Sequence, residues 1–386
     1  MPAVTVSIDD VLRTAVESGD AFGVVATAAD EDGPVYEGAF GLRSADSDDP
    51  MRPDSMLRIA SMTKMVTTTA ALQQVERGAF GLDDPVDTIL PAFADLGVLD
   101  GWEGGTPRLR PPASRATVRQ LMSHTSGLSY WFWNEGTARY QEATGLPDIL
   151  SGLDAAFVSP LACDPGTRFE YGINTDWLGK AVEAASGQSL DAYLAEHVTG
   201  PLGMLDTTVR MDAEQRARSV PVHVRGEDGG FEVTELDWAQ EPEFWGGGHA
   251  LYSTALDYLR FQRMLLGGGA LEGERVLGQE LVDEAFRNQI GELFFEPVTT
   301  VRPDLSLDVD LGPGQKFGLG LLLNTLEQPG MRAAGSGAWA GIFNSHFWVD
   351  RANGLTGAIY LQLLPFFDPR STQLYGDFEK AVYASR

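Results

Sequence analysis

The sequence predicts an α/β fold of the α+β kind: an antiparallel sheet assembled from both ends of the chain, flanked by terminal helices, with a large, mostly helical segment inserted between them. Three observations carry this. Strand-like runs occur near the N-terminus and again near the C-terminus. Each end also carries a helical pattern. The stretch between, about 80–305, mixes helical patterns with long Gly- and Pro-rich loops.

Residues 7–19 read as an amphipathic helix, with Ser7 as N-cap and Asp9 and Asp10 at the positive end of the helix dipole. Two strands follow, Phe22 to Ala28 and Val35 to Gly41, separated by the turn signal EDGP. An apolar helix runs from about Met62 to Arg77 and stops at Gly78. Near the far end, NSHFWVD (344–350) and GLTGAIYLQL (354–363) are joined by Arg351-Ala352-Asn353-Gly354, an Asn-Gly hairpin signal. Residues 370–384 form a last helix. The expected division is a sheet domain of 1–79 with 306–386 and an inserted domain of 80–305, with the active site in the cleft between them. A chain of 386 residues is long for one core, which fits a domain carrying an insertion.

Composition narrows the function. The formal charge of −27 argues against nucleic acid and anionic membranes as partners. No apolar run reaches the roughly 18 residues of a membrane span. The first 20 residues lack the basic start and apolar core of a secretion leader, so a cytoplasmic location is expected. The single cysteine, Cys163, forms no internal disulfide and reads as a small buried hydrophobe. The five histidines show no metal-ligand spacing. No metal and no cofactor are expected.

There are only four lysines, Lys64, Lys180, Lys316 and Lys380, against 24 arginines. Lys64 lies in RIASMTKMVTTTAAL, an otherwise apolar helix, three residues after Ser61. At a helix start the two side chains share a face, and the dipole favours negative charge on the hydroxyl. A desolvated lysine can serve as a base near neutral pH, which arginine cannot. The spacing alone is weak: four lysines give roughly a one-in-four accidental match. A helix cap beside a solvated lysine is the competing reading.

Five stretches in order carry a resemblance. LRIASMTKMVTTTAALQQVERGAFGLDDPV resembles the active-serine segment of class C β-lactamases, DD-peptidases and family VIII carboxylesterases. VRQLMSHTSGL, PGTRFEYGINTDWLGKAVEAASGQSLDAYLAEHVTGPLGMLDT, GGGHALYSTALDYLRFQRMLLGGG and GAWAGIFNSHFWVDRANGLTGAIYLQLLP look like later segments of the same group. The resemblance implies a β-lactamase/transpeptidase-like fold and catalysis by Ser61, Lys64 and Tyr171 through an acyl-enzyme. A lysine ammonium beside Tyr171 is expected to lower its pKa. Two departures favour esters over β-lactams. The group's Tyr-x-Asn has Ile173 in its third position, with Asn174 the nearest asparagine. Its Lys-Thr-Gly is absent, and Trp339-Ala340-Gly341 fits the esterase form. In that register the oxyanion donors are the N–H groups of Ser61 and Ile342. A second register, Gly335-Ser336-Gly337, would use Ala338.

Aromatic loop residues Tyr130, Trp131, Phe132 and Trp133, together with Phe244, Trp245 and His249, are candidates for lining an apolar pocket, and local packing is the alternative for each. Tyr130, Trp133, Trp245, His249, Trp339, Gly341 and Ile342 are the substrate-binding candidates. No Gly-x-Ser-x-Gly elbow accompanies His124, which reads as structural. Asp176 reads equally as a surface carboxylate or a partner near the tyrosine's helix. The expected function is a serine carboxylesterase for small or short-chain esters. The alternatives are a β-lactamase or D-amino-acid amidase, an acyltransferase with the same residues, and an inactive binding homologue.

Overall fold

A computed structural model describes residues 7–226 and 229–386. The first six residues, on which part of the leader expectation rests, lie outside them. A seven-stranded antiparallel sheet forms the centre. Its strands are β1 (Gly23–Asp30), β2 (Pro34–Gly41), β3 (Gln315–Phe317), β4 (Leu322–Asn324), β5 (Gly337–Gly341), β6 (Ser345–Asp350) and β7 (Leu355–Tyr360). The spatial order is β3-β4-β5-β6-β7-β1-β2, so the first strand of the chain pairs with the last strand of the sheet, with Val25 opposite Tyr360.

The two ends meet because each supplies a strand that is apolar on both faces. In β1, Val24, Ala26 and Ala28 pack with Trp348 and Ile359 against α1 (Ile8–Glu17) and the C-terminal helix, where Leu12, Leu374 and Phe378 complete one core. Val25, with Phe347, Val349 and Tyr360, faces the opposite way, into the larger core. Within that core α2 (Thr63–Glu76) and α3 (Asn174–Ser186) pack on each other, and α4 (Ala255–Leu266) covers that side of the sheet. The C-terminal helix, α5, spans Pro369–Ala384.

The terminal expectations hold closely. Ser7 caps α1, its hydroxyl accepting from the Asp10 N–H at 3.1 Å. The hairpin turn between β6 and β7 is fixed by Asp350, whose Oδ1 accepts from the N–H groups of Ala352 and Asn353, and by Gly354 at φ +61°. The segment between the terminal parts carries α3 and α4, shorter helices and several two- or three-stranded pairings, among them Val98–Glu103 with Thr106–Arg110. These small hairpins have too little alternation to be read from sequence. Among the described residues, no helix is long and apolar enough to cross a membrane.

Candidate active site

The chain enters α2 through a pinned and strained turn. Leu57 and Arg58 pair with Ser253 and Tyr252. The buried Gln362 amide accepts from the Arg58 N–H at 2.8 Å and donates to its carbonyl at 3.0 Å. Ile59 N–H donates to Leu251 O at 3.2 Å. The backbone then reverses at Ala60, which sits at φ +46°. That left-handed conformation costs a residue with a Cβ about 1–2 kcal/mol and persists only where its surroundings over-determine it. Ser61 follows in one 3₁₀ turn, Ala60–Met62, leading into α2. Its hydroxyl therefore lies at the helix start, as the spacing predicts.

Lys64 is 1% exposed. Its Nζ donates to Ser61 Oγ at 3.1 Å, Tyr130 Oη at 3.0 Å and the Gly248 carbonyl at 2.8 Å. An ammonium has three hydrogens for these three acceptors. The neutral amine has two, and its lone pair then faces a hydroxyl, because only a hydroxyl can donate back. Burial lowers the pKa of Lys64 to about 7, against the opposing pull of Asp176. A large fraction is neutral at pH 7.

Tyr171 lies opposite. Its hydroxyl accepts from Trp339 Nε1 at 3.1 Å, and its ring lies 4.8 Å below Lys64 Nζ. Here the structure corrects the sequence. The pKa of Tyr171 is raised, because burial outweighs its hydrogen bonds with Ser61 and Trp339. Tyr171 is a phenol, kept protonated. His124 packs beneath it, ring centroids 4.6 Å apart, and burial holds His124 neutral, well below its usual pKa.

Strand β5 forms one wall. Strand β4 pairs with β5 only at Leu322–Ala338 and Leu323–Gly337. Beyond Ala338, that edge of β5 has no strand neighbour among the described residues, and the cleft runs along it. Trp339, Gly341 and Ile342 line the cleft with Ser61. Trp339 of the Trp-Ala-Gly run donates to Tyr171, and Ala338, the donor of the second register, is paired with Leu322 and Trp348. Gly341 is required by close approach. A Cβ there would stand 2.6 Å from Ile59 O and 3.4 Å from Ala60 Cβ. Gly341→Ala is expected to push the strand off the nucleophile turn and to lower kcat/KM about 100-fold, since a misplacement of this size disrupts alignment. Steady-state kinetics beside a melting curve check it; unchanged kinetics would remove any need for the close approach.

The other candidates divide. Tyr130, Trp133 and His249 line the cleft. Tyr130 does more than the sequence suggested, since it bonds to Lys64. Trp245 is a correction: it does not line the cleft at Ser61, because its loop turns the ring toward Arg210, 5.5 Å away. Trp238 takes a cleft position instead, packing on His249 at 5.3 Å. A lone tryptophan in a loop gave no sequence signal. Asp176 is likewise no surface carboxylate, being 1% exposed.

The fold and this cleft together define a serine enzyme of the acyl-enzyme class, hydrolase or acyltransferase. The chain belongs to the beta-lactamase family, whose model matches residues 8–380. It is 32% identical to monacolin J acid methylbutanoyltransferase of Aspergillus terreus, over 98% of this chain and 95% of that protein. It is 29% identical to lovastatin esterase of Penicillium rubens, over 97% and 98%. The solved structure of unliganded simvastatin synthase from Aspergillus terreus superposes with a TM-score of 0.85 at 30% identity, covering 98% of this chain and 97% of that one. The fold is also that of EstCE1, a hydrolase with promiscuous acyltransferase activity, at a TM-score of 0.78 and 22% identity, covering 97% of each chain.

Proposed function

We propose that the protein moves small acyl groups through an ester of Ser61 and delivers them to an apolar alcohol or, where none is bound, to water. The observation that carries this is the make-up of the cleft. Phe132, Trp133, Trp238, Leu305, Val309 and Phe366 line the cleft that holds the serine. The one cation lining it among the described residues, Arg332, is already paired with Glu379 at 2.8 Å. A penicillin or peptide carboxylate meets no free cation here. Nor does its amide meet an asparagine, for Asn174 is turned away, donating to Leu128 O and accepting from Ser126 Oγ. Relatives that are named acyltransferases and esterases support the same reading. The carboxylesterase expected from sequence is the case in which water takes the acyl group.

In this reading, neutral Lys64 takes the Ser61 proton and Oγ attacks the ester carbonyl. The N–H groups of Ser61 and Ile342 hold the oxyanion. Tyr171, a phenol by virtue of its burial, protonates the leaving alkoxide and recovers a proton from the Lys64 ammonium. The incoming alcohol or water then gives up its proton by the reverse route.

The test is a three-way incubation: p-nitrophenyl butyrate alone, the same with an apolar alcohol, and nitrocefin. Ester cleavage is expected, with butyrate ester of the alcohol appearing in the second arm. Two missing charge-assisted or polar contacts, at roughly 1.5–3 kcal/mol each, set nitrocefin about 100-fold or more slower. Nitrocefin turnover equal to ester turnover would overturn the substrate class. Free butyrate as the sole product in the second arm would remove the transfer half.

A further inference from the structure

The acyl-transfer reading leaves a buried carboxylate behind Lys64 unused. Asp176 stands in the first turn of α3, its side chain fully buried. Oδ1 accepts from the Gly248 N–H at 3.0 Å. Oδ2 has no hydrogen-bond partner among the described residues. The same Gly248 turns its carbonyl to Lys64 Nζ at 2.8 Å. A single peptide residue thus has the carboxylate on its amide and the catalytic-site lysine on its carbonyl. The packing is close: a Cβ on Gly248 would lie 2.6 Å from Asp176 Oδ2. The neighbouring Gly247 carbonyl accepts from Thr67 Oγ1 at 2.8 Å, which ties the loop to α2 one turn beyond Lys64.

We propose, on the basis of the acyl-transfer reading, that Asp176 is a positioning residue for Lys64: its buried charge is the lysine's counter-ion, and its bond to Gly248 aims the carbonyl that orients the amine. A carboxylate deprived of water costs several kcal/mol unless it is compensated. Asp176 has one N–H and an unpartnered oxygen, and the basic side chain it meets directly is His249, whose Nδ1 lies 3.5 Å from Oδ1; Lys64 is reached through Gly248. Such a group acts on its surroundings through its field. The groups facing Lys64 are Ser61, Tyr130 and Tyr171 around Nζ, His124 beneath Tyr171, and Asp176 with His249 behind Gly248. Of these, Asp176 is the one anionic group. Both tyrosines and His124 are held neutral by burial. Desolvation drives the lysine toward the amine and the carboxylate opposes it. Their balance keeps Lys64 titrating where it can both take a proton and return it.

The test uses the scarcity of lysine. With four lysines in the chain, ¹³Cε-lysine NMR follows each amine, and Lys64→Met assigns the Lys64 signal. Asp176→Asn keeps the acceptor for Gly248 and removes the charge. The Lys64 midpoint is expected to fall by about one pH unit, with the acid limb of kcat/KM moving by the same amount and KM little changed. Asp176→Thr, whose hydroxyl still reaches toward Gly248, gives the same shift should the amide variant not accumulate. An unmoved or raised midpoint overturns the proposal. The NMR titration needs no turnover, so a protein that proved inactive on esters would defeat the functional reading and leave this result standing.

Discussion

Ser61→Ala is expected to lower kcat/KM for p-nitrophenyl butyrate about a million-fold, as removal of a covalent nucleophile does. Ser61 Oγ is the hydroxyl that Lys64 reaches at 3.1 Å, in the cleft that Tyr171 also lines. The nearby Ser126 and Ser129 are already engaged, with Asn174 Oδ1 and with Thr137 Oγ1, both at 2.5 Å. Neither of these two is free to substitute. Intact-protein mass spectrometry gives the second readout. A fluorophosphonate adds its mass to the wild-type chain and leaves the variant unchanged. A variant that still acquires the label would place the nucleophile elsewhere.

Lys64→Met is the other large effect. The substitution conserves length and removes the base, so kcat/KM is expected to fall by about 10⁴-fold. In the wild type, activity should decline as pH falls through about 7, where the amine becomes an ammonium and ceases to accept a proton. The variant should lose that limb. Stability depends on the same group and also rises with pH. The lysine's pKa is lower in the folded chain than in the unfolded one, so between about 7 and 10.5 the unfolded state binds more protons. Stability therefore rises with pH across that window, and the burial penalty is present in full below it. Removing the amine relieves the penalty, so the variant should hold its melting temperature at pH 6 while losing activity. A folded variant that keeps activity within tenfold would exclude Lys64 as the base.

The sequence carried the parts of this picture that depend on local pattern. The terminal strands were legible because each is short, apolar and bounded by turn residues such as Asn353-Gly354. The α2 helix was legible from its run of apolar residues and Gly78. Ser61 and Lys64 stood out because a lysine in a lysine-poor chain occupied an apolar helix. What escaped depended on contacts between distant segments. Tyr130 read as one aromatic among four, and only the fold brings its hydroxyl to Lys64, 66 positions away. Asp176 read equally as a helix-surface charge or a partner near the tyrosine's helix, because the glycine loop at 246–248 that packs on it is distant in sequence. Tyr171 read as a tyrosine of lowered pKa because charge proximity is visible in a motif, whereas desolvation belongs to the whole surround. The left-handed Ala60 gave no signal at all, since nothing in the residue type anticipates it.

The closure of the sheet also bears on how the protein is made. Strand β1 takes its neighbour β7 across the register Val25 to Tyr360. A ribosome adding about 5–20 residues each second needs roughly 20–70 s to travel from one to the other. Throughout that interval the edge of β1 that pairs with β7 stays open, although α1, made before it, can already cover one face. The nascent chain thus carries an open strand edge long before its partner is made. Synthesis speed and chaperone supply, more than the stability of the finished molecule, are set to govern how much of this protein a cell obtains.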